Sequence, residues 1–338
     1  MLSFPTTAVH QIGSLVKYKL PVLAALAGLF TSASTSGMAI DKYEMVTPDG
    51  ARHYIVVTPD GPSNPKHPAI VLLHGHGSSA AWFTGQDSFA GFRTNEWLQL
   101  AERAHVLLII PDGAKGSDGK QAWNDCRADA ETNSTTDDVH FISALIDTAI
   151  SQHGVDPDRV YAFGQSNGGG MVYRLGIEIP QKLAAIGVQS ALMPTRSRCA
   201  VPSYPLSVFI THGTDDKIAP YSGGEVTHWA LRGRGSGISI EESVAIWRKI
   251  GGVPEQANTY RFPHLDEKDL TSATRYTWGN SSAGLQIEFL KIQGGGHTWP
   301  SRSVSMPWLV RKLLGAMNHD VDLTTELWSF FKDKRLNH

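Results

Sequence analysis

Short, mostly apolar runs alternate along this chain with longer amphipathic stretches. Ala69–Leu73 and Val160–Phe163 are unbroken apolar runs, and His105–Ile110, Ala184–Val188, Leu206–Ile210 and Ile287–Ile292 are largely apolar ones, all of the length of strands buried in a parallel sheet. Between them, Thr136–Gln152 carries Val139, Ile142, Leu145, Ile146, Ala149 and Ile150 at three- and four-residue spacing, with Thr and Asp at its start suited to capping. Glu241–Ile250 and Thr324–Lys334 are further helical stretches. Ahead of these, Tyr43–Val46 and His53–Val57 form an opening hairpin that turns at Pro48-Asp49-Gly50. Strands alternating with helices predict the α/β class: a mostly parallel central sheet with helices on both faces. No internal repeat or linker divides the chain, so residues 40–338 read as one domain. Arg232–Gly237 (RGRGSG) reads as a mobile surface loop.

Most of these strands end in glycine beside a side chain capable of chemistry, and open α/β sheets bind ligands at the carboxyl ends of their strands. The run at Val160 ends in Gly164-Gln165-Ser166-Asn167-Gly168 and continues into a glycine-rich helix. A serine held in that tight turn needs neighbours without a bulky Cβ, which Gly164 and Gly168 supply. The run at Leu206 ends in His212-Gly213-Thr214-Asp215-Asp216, and the run at Ile287 ends in Gly294-Gly295-Gly296-His297. Three strand ends thus supply Ser, Asp and His in that order. Ser166 is the candidate nucleophile, His297 the base that takes its proton, and Asp216 the acid that orients the imidazole. The frame His-Gly-x-x-Asp favours Asp216, which leaves Asp215 as a solvated or turn-capping residue. The backbone N–H groups of Asn167 and His76 are the expected oxyanion donors; the Asn167 side chain is not required for this.

The remaining composition narrows the picture. A net charge of −2 with no basic block excludes a phosphate backbone as ligand, so no nucleic acid is expected. Lys17 and Lys19 precede an apolar run, Leu20–Phe30, then a small-residue stretch with Gly37 and Ala39 placed for cleavage. Residues 1–39 therefore read as an export signal, too short in its apolar part to span about 30 Å of hydrocarbon. The mature chain is expected to be secreted, extracellular or periplasmic, with no stable membrane insertion. Cys126 and Cys199 are the only cysteines, and an oxidising compartment makes a bridge between them the natural hypothesis, against two buried thiols. His74, His76, His212 and His297 are enough imidazoles for zinc, but no H-E-x-x-H or cysteine pair accompanies them. No metal is expected; His74 and His212 read as strand-end residues that hydrogen-bond locally.

Several segments together resemble one family: LLHGHGSS (72–79), PDG…WNDC (111–126), TTDDVHFISALID (135–147), DPDRVYAFGQSNGGGM (156–171), HGTDDKIAPY (212–221), GGGHTWP (294–300) and TELWSFF (325–331). The chain is similar to the secreted esterases grouped with polyhydroxybutyrate depolymerases and feruloyl or acetylxylan esterases. The resemblance runs from about Ala69 to the C-terminus, and WNDC and GGGHTWP are its most specific parts. It implies a single α/β-hydrolase domain, a Ser-Asp-His triad on Ser166, Asp216 and His297, and no cofactor. It also places Trp123 and Trp299 beside the site, as aromatic walls for an acyl chain or as core residues. The sequence departs from the family at His76, where a small residue or cysteine is usual, and at Ser301, where glycine is usual; both touch the shape of the acyl pocket.

The expected function is therefore a secreted serine carboxylic-ester hydrolase. Its partner is a small-molecule or polymer ester: hydroxyalkanoate polyesters or oligomers, or feruloyl and acetyl esters on plant polysaccharide. No polymer-binding module is evident, which favours soluble or oligomeric substrates. Two rivals are a serine peptidase on the same fold and a non-catalytic polysaccharide-binding protein.

Overall fold

The computed structural model describes residues 37–61, 66–87, 94–227, 232–280 and 284–336. The predicted export signal lies outside them except for its last three residues. The opening hairpin is as expected: β1 (Ala39–Thr47) and β2 (Gly50–Thr58) pair in register from Ala39↔Thr58 to Thr47↔Gly50. The buried runs become β3 (His67–Leu73) and β4 (Leu107–Pro111). Two small ribbon strands follow, β5 (Ala114–Lys115) and β6 (Gln121–Ala122), and then β7 (Val155–Gln165), β8 (Ala185–Gln189) and β9 (Ser207–Gly213). A second ribbon, β10 (Gly224–Glu225) and β11 (Ser236–Gly237), precedes β12 (Asn258–Arg261), β13 (Ser272–Gly279) and β14 (Gln286–Gln293). The main sheet has ten strands in the order β1-β2-β4-β3-β7-β8-β9-β14-β13-β12. Its central six strands, β4 to β14 in that order, run parallel. Antiparallel pairs close both edges.

The helices are α1 (Ala80–Phe83), α2 (Glu96–Ala104), α3 (Asp138–Gln152), α4 (Asn167–Glu178), α5 (Ile240–Gly251), α6 (Trp308–Leu314) and α7 (Leu323–Phe331). Alternation along each strand builds a core on each face of the sheet. Ala69, Val71 and Leu73 pack with Phe141, Met171 and Trp247 from α3, α4 and α5. Ile70 and Leu72 pack with Phe83, Trp97 and Phe331 on the other face. Asp137 caps α3, its side chain accepting from the backbone N–H of His140 at 3.0 Å. His105, expected to open a strand, instead ends α2 in the left-handed region at φ 50°.

The RGRGSG segment corrects an expectation. Residues 232–237 are not a loose surface loop: Arg234 is 4% exposed, β11 pairs with β10, and Gly237 lies against Leu192 and Met193. Gly233 O accepts from both the N–H and the hydroxyl of Thr132, which fastens the segment to the loop ahead of α3.

Candidate active site

The turn between β7 and α4 carries Ser166 at φ 53°, ψ −121°. This lies outside the ordinary regions for a residue with a side chain and must be imposed by the surroundings. The imposition is steric. A Cβ on Gly168 would stand 2.2 Å from Leu73 O, and one on Gly164 would stand 2.3 Å from Gly168 O. With both glycines in place, β7 and α4 approach closely enough to force the turn outward. Ser166 N–H is held by Gln189 O at 2.8 Å.

The ends of β9 and β14 bring the other two residues together. His297 Nδ1 lies 2.7 Å from Asp216 Oδ2. Asp216 is 5% exposed, and its Oδ1 accepts the backbone N–H groups of Ile218 at 2.8 Å and Ala219 at 2.9 Å. Burial works against its ionisation, but the charge and hydrogen bond of His297, with the other donors, hold its pKa below the ordinary carboxylate value. An ionised Asp216 accepts the proton that His297 carries on Nδ1, which leaves Nε2 as the bare nitrogen. Asp215 is exposed and accepts from the Thr214 hydroxyl, as expected of a turn residue.

Ser166 and His297 line one cavity of about 280 Å³. Its walls are mostly apolar, with Trp82, Leu192, Ile218, Met306, Val310 and Leu314 among them. Gly75 and His76 line it next to the serine: a Cβ on Gly75 would be 3.5 Å from Ser166 Cβ. The His76 side chain also takes part in the wall, with Nε2 2.9 Å from Asp118 Oδ2. Burial, reinforced by Arg234, pulls its pKa down to about 4, so it is neutral near pH 7.

The other expected residues divide. Trp299 lines the cavity, but its indole N–H donates to Glu96 Oε2 at 2.7 Å and its ring packs edge-on to Trp97 and Phe163. Ser301 donates to the same carboxyl group at 2.6 Å. Trp123 is corrected: it is fully buried, is not among the lining residues, and donates its indole N–H to His74 O at 2.9 Å. It packs below the site instead of walling it. His74 and His212 are local, as expected. The Gly113 N–H donates to His74 Nε2 at 3.0 Å, so His74 Nδ1 carries the proton and donates to Gly75 O at 2.7 Å. His212 Nε2 donates to Ala219 O at 2.8 Å. Cys126 and Cys199 are joined as a disulfide, with Cα atoms 5.3 Å apart.

Two features were missed in the sequence. The Asn167 side chain, given no part there, accepts from Trp123 N–H at 2.7 Å and donates to Trp123 O at 3.0 Å and Asp125 Oδ2 at 2.9 Å. It clamps the WNDC loop to the elbow. Arg234 lines the cavity; its position between two glycines was the only available signal.

A parallel sheet with a strained serine at one strand end and an Asp–His pair at two others defines the α/β-hydrolase class. Comparison with known proteins agrees. The fold is similar to that of an acetyl xylan esterase from Aspergillus awamori, with a TM-score of 0.53, 15% identity, and coverage of 86% of this chain and 99% of that one. The protein NocK of Nocardia uniformis subsp. tsuyamanensis is 29% identical over 265 residues, 76% of this chain and 73% of its own length. A bifunctional acetylxylan esterase/xylanase, XynS20E of Neocallimastix patriciarum, is 27% identical over 249 residues, 73% of this chain but 31% of its own length. A poly(3-hydroxybutyrate) depolymerase of Ralstonia pickettii is 24% identical over 284 residues, 83% of this chain and 53% of its own length. The chain thus spans about half or less of these last two relatives. The family described as Phospholipase/Carboxylesterase matches residues 53–238, and the chain belongs to it. It is an esterase of the α/β-hydrolase type. No helix among the described residues is long and apolar enough to cross a membrane.

Proposed function

We propose that the chain is a secreted serine carboxylic-ester hydrolase that works through an acyl-enzyme on Ser166. The observation that carries this reading is the 2.7 Å contact of His297 Nδ1 with a buried Asp216, beside a cavity that the strained Ser166 shares. Ser166 Oγ attacks the ester carbonyl carbon while its proton passes to His297 Nε2. The carbonyl oxygen becomes an oxyanion, held by the backbone N–H groups of Asn167 and His76. The first of these opens α4 and so has no acceptor within its own helix. Collapse breaks the C–O bond, and the alcohol leaves with the proton from His297. Water then repeats the cycle on the acyl-serine and releases the acid. Hydroxyalkanoate oligomers and feruloyl or acetyl esters are the substrates this reading favours; acetylxylan and poly(3-hydroxybutyrate) are what two of the relatives are named for. The Lys17–Ala39 pattern and the Cys126–Cys199 bridge support export.

A fluorophosphonate probe tests the assignment. Wild type is expected to be labelled and Ser166→Ala is not; equal labelling of the two removes Ser166 as nucleophile. Rates on hydroxybutyrate trimer, methyl ferulate, acetylated xylan and a peptide anilide then rank the substrate classes, and a dominant anilide rate would replace the esterase with a peptidase.

A further inference from the structure

The cavity wall holds two arginines in opposite circumstances. Arg127 is satisfied: its Nε and Nη2 lie 2.6–3.2 Å from the carboxylate of Asp125. Arg234 is as deeply buried, 4% exposed, yet no hydrogen bond to any described residue holds its guanidinium. The nearest carboxylate oxygen, Asp118 Oδ2, is 3.9 Å from its Nη2, beyond hydrogen-bonding range. Asp118 is already engaged: Oδ2 bonds His76 Nε2 at 2.9 Å and Oδ1 accepts from Lys120 N–H at 3.1 Å. Burial lowers the pKa of Arg234 to about 10, which leaves it charged at neutral pH.

The backbone builds this placement. Gly233 and Gly235 flank the arginine at φ 68° and 75°, conformations a side chain rarely adopts. Gly233 O is tied to Thr132, and Gly235 O accepts from Val226 N–H at 2.8 Å. Ser236 Oγ donates to Asp129 Oδ2 at 2.7 Å. Arg232, two residues earlier, is exposed. A pinned segment thus inserts one cation into a largely apolar cavity and leaves its fork unmatched. A buried, charged fork is best matched by a planar anion that accepts two parallel hydrogen bonds.

We propose that Arg234 is a specificity residue that receives a carboxylate of the substrate, so that the enzyme favours esters bearing a free carboxylate over their uncharged counterparts. This rests on the ester-hydrolase reading above. The carboxylate can sit in either of two places, on the acyl side, as in a dicarboxylic hemiester, or on the alcohol side, as at the acid end of a hydroxyacid oligomer.

Paired substrates separate these. Ethyl hydrogen succinate is compared with diethyl succinate for the acyl side, and the 3-hydroxybutyrate dimer acid with its methyl ester for the alcohol side. The kcat/KM ratio of anionic to neutral ester is expected to be about 10- to 100-fold in one pair, the worth of a charged hydrogen bond. Arg234→Met should bring that ratio close to one, and Arg234→Lys should restore part of it. As a second measurement on wild type alone, succinate or 3-hydroxybutyrate should inhibit hydrolysis of a neutral nitrophenyl ester, and 1,3-butanediol should not. A ratio near one in both wild-type pairs with no carboxylate inhibition, or a ratio unchanged in Arg234→Met, overturns the inference. Failure of wild type to turn over any ester or accept the fluorophosphonate label would instead overturn the hydrolase reading.

Discussion

Replacing Asn167 by aspartate changes one atom pair and tests how the WNDC loop is held to the elbow. The Asn167 amide donates to Trp123 O and Asp125 Oδ2. An ionised carboxylate in its place would stand about 2.9 Å from that of Asp125, which is itself 1% exposed. At an effective dielectric of about 20 that repulsion alone is about 6 kcal/mol. Protonating the new carboxyl is cheaper. Against an unfolded pKa of about 3.9, holding the proton costs about 4 kcal/mol at pH 7 and about 1.5 kcal/mol at pH 5. The second lost donor adds about 1 kcal/mol at any pH. The folded-state pKa is raised above the unfolded value, so the folded variant binds the extra proton and its deficit shrinks as pH falls. Urea unfolding of wild type and Asn167→Asp is expected to differ by about 5 kcal/mol at pH 7 and about 2.5 kcal/mol at pH 5. A difference below about 1 kcal/mol, or one that does not change with pH, would refute the clamp.

Two further outcomes follow from the site. In Asp216→Asn the amide oxygen can keep the Ile218 and Ala219 N–H bonds, so the NH2 group faces His297 Nδ1 and forces the proton onto Nε2; kcat is expected to fall about 10⁴-fold, and a loss under tenfold would remove Asp216 from its orienting role. Reducing the Cys126–Cys199 bridge opens a loop closed across 73 positions, and urea midpoints with and without reductant should report a loss of about 4 kcal/mol; coincident midpoints would show that the bridge contributes nothing to stability.

The central strands and the Ser, Asp and His positions were legible because they rest on local rules. A doubly buried strand is largely apolar, and a tight strand-end turn calls for glycine. What stayed hidden depends on tertiary placement. Ser272–Gly279 alternates only weakly because it lies toward one edge of the sheet, half buried, and it carries no strand signature as plain as that of β3. The α2 segment reads as mixed polar sequence because it buries little more than Trp97, Leu100 and Ala101. Trp123 and Trp299 stand in equally specific motifs, yet one lies beneath the cavity and the other in its wall. Arg234 was misplaced on the surface because glycine-rich polar sequence usually belongs there; the ties from Thr132 and Asp129 that help hold it inside come from about a hundred residues away in the chain.

The aromatic packing around Trp299 also makes the protein its own optical sensor. Trp82 and Trp299 both line the cavity with ring centroids 5.9 Å apart, and Trp97 lies 5.8 Å from Trp299 in the core behind it. Excitation absorbed by any of the three migrates among them, so emission collects contributions from rings bordering the space an acyl group would fill. An acyl group in the cavity would lie against Trp82 and Trp299, whose rings are already buried, and that contact is expected to change the emission of the cluster. Occupancy of the site is then readable from the unmodified protein, without a chromogenic ester.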